Sequence, residues 1–244
     1  MKYSEEADDP RRRLLIQALS AGLFSMGIPG ANAQVFNIFG SKPARLPASQ
    51  SIYRISGSAT VNDKPATLQT KVIPGDTVKT GKDSELVLVV NTNAMILRAG
   101  SNVIIEAEKK EESLIISGLR MLSGALLSVS RNTPMRVRSP TATVGIRGTG
   151  FYIEADPEQT YFCTCYGSTE VASNTDPESK ENIIAKQHDR PVYIVQDGAK
   201  GKNIRNAPFI NHTDLELALI ETLVGRTPPF IFPNEAYTAP RRNY

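Results

Sequence analysis

The sequence predicts an all-β protein: an elongated β-sandwich or solenoid-like domain of many short strands, with one C-terminal α-helix packed on it. Three observations favour this fold. Short apolar or β-branched runs alternate with turn residues from Ser51 onward. The 17 Gly and 16 Pro, with no Trp, indicate many turns and short elements. A single capped helical pattern begins at Thr213, near the end of the 244 residues.

The first 33 residues are predicted to be a removable signal peptide. Three arginines at 11–13 precede an apolar run over 14–28, and the small residues at 31–33 suit signal peptidase. Cleavage is expected near Ala33-Gln34. The apolar run is shorter and more polar than the ~20 residues of a membrane span, so the mature chain is expected to have no transmembrane span. The paired arginines resemble a twin-arginine signal, and an ordinary Sec signal is the alternative.

The remaining chain is expected to form three parts. A linker over 34–50 leads to a β domain over 51–200, and a helix with a Pro-rich tail fills 201–244. Strand-length runs separated by turn residues predict the β domain. These runs are Ile52–Ile55, Ala59–Val61, Thr77–Lys79, Leu86–Val90, Met95–Leu97, Val103–Glu106, Leu114–Ser117, Ala125–Val129, Met135–Val137, Thr141–Val144, Phe151–Glu154, Thr160–Cys165, Glu170–Ala172, Ile183–Ala185 and Val192–Val195.

The C-terminal helix has clear start and stop signals. Thr213 and Glu216 form a capping box, in which each side chain accepts a hydrogen bond from the other residue's backbone N–H. Gly225 is expected just beyond the last turn. Apolar residues occupy two faces of the helix. We therefore expect the helix to be buried against the sheet or a partner.

The most distinctive stretch is a strand interrupted by three glycines around Arg147. Because glycine alone adopts positive φ freely, the pattern predicts tight bends and close backbone approach. Arg147 either braces these bends through internal hydrogen bonds or presents its guanidinium to an anionic ligand. The brace is favoured, since most side-chain hydrogen bonds stay within the protein.

This stretch resembles the signature of the FecR domain family, which has the form V-x-T-P-T-A-x-x-G-V-R-G-T-x-F. Segments 56–59, 74–81, 84–88 and 166–171 resemble further family patterns in the same order, so the resemblance covers about 51–195. It implies an extracytoplasmic all-β domain, used in regulators of iron-uptake signalling and in standalone exported proteins. The resemblance marks these residues as a ligand-binding or structural motif: Pro140, Thr141, Gly145, Arg147, Gly148, Thr149 and Phe151.

Two departures from the family pattern limit what the resemblance implies. The named regulators carry a cytoplasmic anti-sigma segment and a transmembrane helix before this domain. A cleavable signal is predicted in their place, so the sigma-factor role is not carried over. Gly150 replaces the acidic residue that often precedes the Phe, which weakens any ion pair assumed for Arg147.

Cys163, Cys165, His188 and His212 form a second candidate site. On an extended strand, cysteines at i and i+2 have Cα atoms roughly 6.5–7 Å apart, at the limit for a disulfide. Their thiolates and the chain's two histidines would complete a Cys₂His₂ shell for Zn or Cu. The alternatives are a disulfide made possible by a bulge, two buried thiols, and a His212 that only precedes the helix cap. We expect the four residues to converge where the helix meets the β domain, with Zn, Cu and no metal all left open.

The expected function is that of an exported, non-catalytic binding or signalling module of the cell envelope. Its net charge of +3 is not concentrated in one stretch, so nucleic acid is not an expected partner. The sequence has no nucleophile elbow, metalloprotease helix, phosphate loop or dinucleotide fingerprint, and no enzyme activity is expected. The expected partner is another envelope protein or a cell-wall component. A glycan-binding or envelope-structural protein, or a metal-binding periplasmic protein, is the alternative.

Overall fold

The computed structural model describes residues 43–130 and 134–229. The predicted signal peptide and its cleavage site lie outside the described residues. Fourteen strands join in one sheet, and a single helix follows them in this part of the chain. The predicted all-β fold with one C-terminal helix is confirmed. No helix among the described residues has the length and apolarity that a membrane crossing requires.

The strands follow one another with short connections over most of the chain. They are β1 Ile52–Ser56, β2 Ala59–Val61, β3 Lys64–Pro65, β4 Thr77–Thr80, β5 Glu85–Val90, β6 Asn93–Leu97, β7 Asn102–Lys110, β8 Ser113–Ser130, β9 Met135–Arg138, β10 Ala142–Ala155, β11 Gln159–Ser173, β12 Lys180–Ala185, β13 Val192–Val195 and β14 Ile204–Asn206, and the helix α1 is Asp214–Leu223.

The sheet is antiparallel except where β8 pairs with β9. Its main path is β14-β13-β11-β10-β9-β8-β7-β4-β2-β3. Strands β1, β5 and β6 attach to this path through the pairing of β6 with β8, and β12 attaches to β11. Strand β10 also pairs directly with β8 beyond the end of β9.

Three strands are longer than the sequence pattern predicts. Strands β8, β10 and β11 have 18, 14 and 15 residues, and each contains two of the predicted short runs. The glycines between those runs form bends inside continuous strands, as at Gly148 and Gly167, which have φ values of 63° and 94°. At Gly148, β10 changes its neighbour from β9 to β8.

Alternation along the strands buries both faces of the central sheet. On β10 and β11, Phe151, Ile153 and Phe162 belong to the main apolar core. Tyr152 and Cys163 alternate with these residues, so they face the other side, and they are also fully buried. Helix α1 lies against β6 and β8. The face of the sheet that carries Tyr152 and Cys163 therefore packs against the C-terminal segment.

The ends and burial of α1 match the sequence prediction. The Thr213 hydroxyl accepts from the Glu216 amide at 3.2 Å, and the Glu216 carboxylate accepts from the Thr213 amide at 3.0 Å. Gly225 has a φ of 71° just beyond the helix. The apolar residues on both helix faces are buried, which confirms the predicted packing: Leu217, Ala218, Leu219, Ile220 and Leu223.

Arg98 fixes the start of α1 to the sheet. Its guanidinium lies 2.9 Å from the Glu216 carboxylate and also pairs with Glu85 at the start of β5. Burial alone would lower the pKa of Arg98, but the two carboxylates outweigh this effect and raise it. Arg98 therefore stays charged in the interior and connects the helix cap to the sheet.

Replacing Arg98 is expected to destabilise the fold strongly. Arg98→Met preserves the buried aliphatic volume but removes the guanidinium that Glu85 and Glu216 share. Breaking a buried ion pair in this way costs about 3–5 kcal/mol, measured as the free energy of unfolding in urea. Lys79→Met is the control, because the ion pair of Lys79 with Asp63 is exposed and such pairs contribute at most ~1 kcal/mol. Equal, small losses in the two variants would contradict this role for Arg98.

Candidate functional site

Four side chains that bind metals in proteins meet on the helix side of the sheet. Cys163 and Cys165 come from β11, His188 from the loop between β12 and β13, and His212 from the residue before the Thr213 cap. One ligand atom from each lies within 4.8 Å of the others, and all four residues are buried. The structure thus brings together the residues that the sequence analysis grouped. We call them the Cys/His cluster.

A shift in the register of β10 and β11 places the two cysteines. Gly150 pairs with Tyr166 and Phe151 pairs with Thr164, so Cys165 has no partner residue on β10. Both cysteines are fully buried and free. The bulge that the sequence analysis required for a disulfide is therefore present, while the thiols themselves are not joined.

The loop that carries His188 is held by local hydrogen bonds. His188 adopts a φ of 53°, and its amide donates to the Cys165 carbonyl at 3.0 Å. The Asp189 carboxylate closes the loop by accepting from the Gln187 amide at 3.2 Å. A side chain larger than glycine held at positive φ requires support from its surroundings. Here that support directs the imidazole toward β11.

A carboxylate and a carbonyl determine which nitrogens face the cluster. His188 Nε2 donates to Asp214 Oδ1 at 2.9 Å, and His212 Nδ1 donates to the Ile210 carbonyl at 2.6 Å, because neither oxygen has a proton to give. His188 Nδ1 and His212 Nε2 then point toward each other at 3.2 Å. His188 Nδ1 also lies 3.4 Å from the Cys163 sulfur.

Aromatic rings enclose the two histidines. The His212 ring stacks on Tyr152 with a centroid distance of 4.5 Å. Phe209 lies 4.3 Å from the His188 ring and 4.6 Å from the His212 ring. These contacts keep the imidazoles in place and separate the Cys/His cluster from solvent.

The surroundings of the Cys/His cluster shift the pKa values of its members in different directions. Burial alone would raise the pKa of Cys163, but the hydrogen bond to Cys165 and the two imidazoles outweigh it and hold the pKa well below its usual value. Burial and the neighbouring Cys163 sulfur raise the pKa of Cys165. Burial alone would lower the pKa of His188, but Asp214 and Cys163 raise it to about 9.

Asp214 also belongs to the site, although it is not among the site residues expected from the sequence. It is fully buried at the first position of α1 and accepts from Gln187 Nε2 at 2.7 Å as well as from His188. No spacing in the sequence connects it to His188, 26 residues earlier. The carboxylate orients the imidazole, as metal-ligating histidines commonly require.

Most of the glycine- and threonine-rich motif is structural. The Thr141 hydroxyl bonds to Thr160 at 2.7 Å, and the Thr149 hydroxyl lies 3.0 Å from the Ser168 carbonyl oxygen. Phe151 stacks on Phe162 in the core with a centroid distance of 5.7 Å. Together with the bend at Gly148, these residues hold β10 against its neighbours.

Arg147 does not act as the brace that the sequence analysis favoured. Its side chain is exposed, and it forms no hydrogen bond or ion pair with any residue that the structure describes. The reason is its position: Arg147 follows the half-exposed Gly145 by two residues and shares its outward face of β10. Pro140, at the start of the motif, is exposed as well.

An exposed surface rich in arginine surrounds Arg147. Cross-strand pairing places Arg136 beside Gly145 and Arg138 beside both Thr143 and Arg120. Glu106 pairs with Arg120 at 3.0 Å and also with Arg138. We call this surface the arginine face, defined by Arg120, Arg136, Arg138 and Arg147. Pro140 lines a shallow depression beside Arg120 and Arg138.

Gly150 makes room for a contact between the sheet and the helix. A Cβ atom at Gly150 would lie 2.4 Å from the Tyr166 ring. The Tyr166 hydroxyl donates to Glu221 on α1, whose carboxylate also accepts from Arg226 at 2.7 Å. The departure from the family pattern at this position therefore allows Tyr166 to reach the helix.

Residues 76–170 match the family model described as FecR protein. This part of the chain is similar to the FecR family. The match is narrower than the resemblance over 51–195. Cys163 and Cys165 lie inside the matched range, and His188 and His212 lie beyond it. No curated protein matches the chain.

Two crystal structures of a candidate anti-sigma factor from Parabacteroides distasonis, at 1.65 and 2.50 Å resolution, are similar to the chain. Their identities to it are 16% and 18%, each with a TM-score of 0.42. The similarity covers 54% of this chain and 58% of the chain in each crystal structure.

Substituting Gly150 is expected to disturb the contact with Tyr166. The added methyl group in Gly150→Ala meets a buried ring, and such overpacking costs about 1–3 kcal/mol in unfolding free energy. Gly145→Ala is the matched control on the same strand, because its new Cβ would lie 3.7 Å from the nearest atom. Its stability is expected to change by less than about 0.5 kcal/mol. Equal effects at the two positions would contradict the proposed need for space at Gly150.

Proposed function

We propose that this protein is an exported, non-catalytic binding and signalling module of the cell envelope, which acts by contacting another envelope protein. The observation that carries the proposal is the exposure of Arg147. It is the one charged residue between Pro140 and Phe151. Its side chain is exposed on the segment that matches the FecR family and has no internal partner among the described residues.

The arginine face supports an acidic surface as the binding partner. Three arginines of this face are exposed and Arg138 is half-exposed. Glu106 pairs with two of the four arginines, and Glu170, which lies opposite Gly145, pairs with Lys180 instead. Positive surfaces of this kind steer encounters with negative ones and suppress binding to wrong partners. Arginine also binds carboxylates with two parallel hydrogen bonds. An acidic protein surface is therefore the preferred partner.

A non-catalytic role agrees with the burial of the nucleophile candidates. Cys163, His188 and Asp214 form a hydrogen-bonded series of the kind that activates a thiol. Cys163 and Asp214 are nevertheless fully buried and His188 is 5% exposed, behind Phe209. Within the described residues, the Cys163 side chain exposes no surface to a substrate. We therefore assign the cluster no catalytic step.

The binding proposal is tested by recovery of a partner from envelope extracts. The wild-type chain is expected to capture a specific protein at low salt. Arg136→Glu with Arg147→Glu is expected to reduce that capture at least tenfold, because each substitution places like charges opposite the acidic partner. Lys64→Glu with Lys200→Glu is the matched control, since it makes the same change in net charge at exposed lysines away from the motif.

Two results would count against the binding proposal. If only the bait is recovered while the chain binds isolated peptidoglycan, the alternative of a glycan-binding or envelope-structural protein is correct. If the two double variants lose the captured protein equally, net charge rather than the arginine face governs the contact.

Export is tested separately through the arginines at the N-terminus. The paired change Arg11→Lys and Arg12→Lys is expected to retain the protein in the cytoplasm if it follows the twin-arginine route. A Sec substrate is expected to tolerate the change, because the positive charge is kept. Cell fractionation with an antibody to the chain measures both outcomes. A wild-type protein that keeps residues 1–33 and stays in the cytoplasm would contradict export itself.

A further inference from the structure

Two distances within the Cys/His cluster are close to the edges of a tetrahedral metal site. With bond lengths of ~2.3 Å to sulfur and ~2.05 Å to nitrogen, tetrahedral zinc holds two nitrogens about 3.3 Å apart and a sulfur and a nitrogen about 3.6 Å apart. The observed distances are 3.2 Å between His188 Nδ1 and His212 Nε2, and 3.4 Å between His188 Nδ1 and the Cys163 sulfur. The ligand atom of Cys165 completes the group within 4.8 Å.

The hydrogen bonds around the histidines prepare them as ligands. Asp214 and the Ile210 carbonyl hold the protons of the outer nitrogens. In the neutral rings, the inner nitrogens therefore face each other with lone pairs. Two lone pairs at 3.2 Å require a cation or a proton between them. A carboxylate or carbonyl behind the imidazole is the usual outer contact of a metal-bound histidine.

Charge balance favours a divalent ion. The site is buried, and a buried charge is costly unless it is compensated. Two thiolates and two neutral imidazoles with one Zn²⁺ ion have no net charge, whereas a monovalent copper ion would leave one negative charge uncompensated. Fully buried Asp214 adds a further negative charge nearby, which also favours the higher charge on the metal.

We propose that Cys163, Cys165, His188 and His212 bind one Zn²⁺ ion in a closed tetrahedral site. Four protein ligands with no open position are typical of a structural zinc site. The ion would join β11 of the FecR domain to two segments beyond the matched range, the loop with His188 and the start of α1. The site therefore holds the C-terminal segment on the β domain. Binding would release to solvent the protons that the two cysteines and His188 carry in the metal-free protein.

The proposal is tested by titrating the reduced, metal-free full chain with Co²⁺, a spectroscopic probe for zinc sites. We expect one Co²⁺ per chain, with the intense visible absorption of tetrahedral coordination and a near-ultraviolet band from thiolate ligands. One equivalent of Zn²⁺ is expected to remove both bands and to raise the melting temperature. A reduced wild-type chain that binds no Co²⁺ would overturn the proposal.

Variants assign the ligands. The double change Cys163→Ser and Cys165→Ser is expected to abolish the thiolate band and to reduce the affinity for Co²⁺ beyond detection. The change His212→Gln is expected to reduce the affinity for Co²⁺ at least a hundredfold. Asp214→Asn is expected to weaken binding 10–100-fold while the spectrum keeps its shape, because it disturbs the orientation of His188 but removes no ligand. Thr164→Ser is the matched control, since it lies between the cysteines and its hydroxyl contacts Thr169.

Circular dichroism shows whether each variant is folded. A cysteine variant that remains folded and binds Co²⁺ as tightly as the wild type would contradict the ligand assignment. If the cysteine variant unfolds, the wild-type spectrum decides: tetrahedral thiolate bands support the site, and an octahedral spectrum without thiolate bands overturns it. A Cys163–Cys165 disulfide in protein purified without reductant from zinc-containing medium would likewise overturn it.

Discussion

The pairing of β10 with β11 is the constraint on which the other features depend. It extends from Ala142 opposite Ser173 to Ala155 opposite Thr160, and its register decides which residues face the core and which face the helix. A slip of one residue would exchange the two sets, moving Phe162 out of the core and Cys163 into it. The bends at Gly148 and Gly167 fix that register. The FecR-like motif therefore positions the Cys/His cluster indirectly, because its strand β10 pairs with β11, which carries Cys163 and Cys165.

The sequence was sufficient for the fold class, the capped helix and the membership of the Cys/His cluster. The capping box could be predicted because it is a local interaction between residues three apart. The Cys/His cluster could be predicted because it contains every cysteine and histidine of the chain. The long strands were missed because a glycine such as Gly148 or Gly167 occurs both at the end of a strand and at a bend within one. The sequence alone does not distinguish these two cases. Asp214 was missed because its contact with His188 depends on tertiary packing. Arg147 was expected to brace the bends because most side-chain hydrogen bonds stay within a protein. The pairing of β10 with β9 and β11 shows instead that its side chain faces outward.

If the protein is exported as proposed, the zinc ion would also explain how its two cysteines stay reduced. Thiols in the envelope encounter oxidising conditions, under which exposed cysteines form disulfides. Here they are two residues apart on a bulged strand and remain free. Coordination would occupy both sulfurs, and Tyr152 and Phe209 would shield the ion from solvent. The arginine face lies elsewhere, on the outward side of β8, β9 and β10. The proposed partner binding and the proposed zinc site therefore depend on different residues.

X-ray absorption at the zinc edge tests the central claim most directly, because it counts the atoms bound to the metal in the intact protein. For the wild-type chain loaded with one equivalent of Zn²⁺, the account predicts two sulfur ligands at about 2.3 Å and two imidazole nitrogens at about 2.0–2.1 Å. A shell made only of oxygen and nitrogen, or one with five or six ligands, would contradict a closed site built from Cys163, Cys165, His188 and His212.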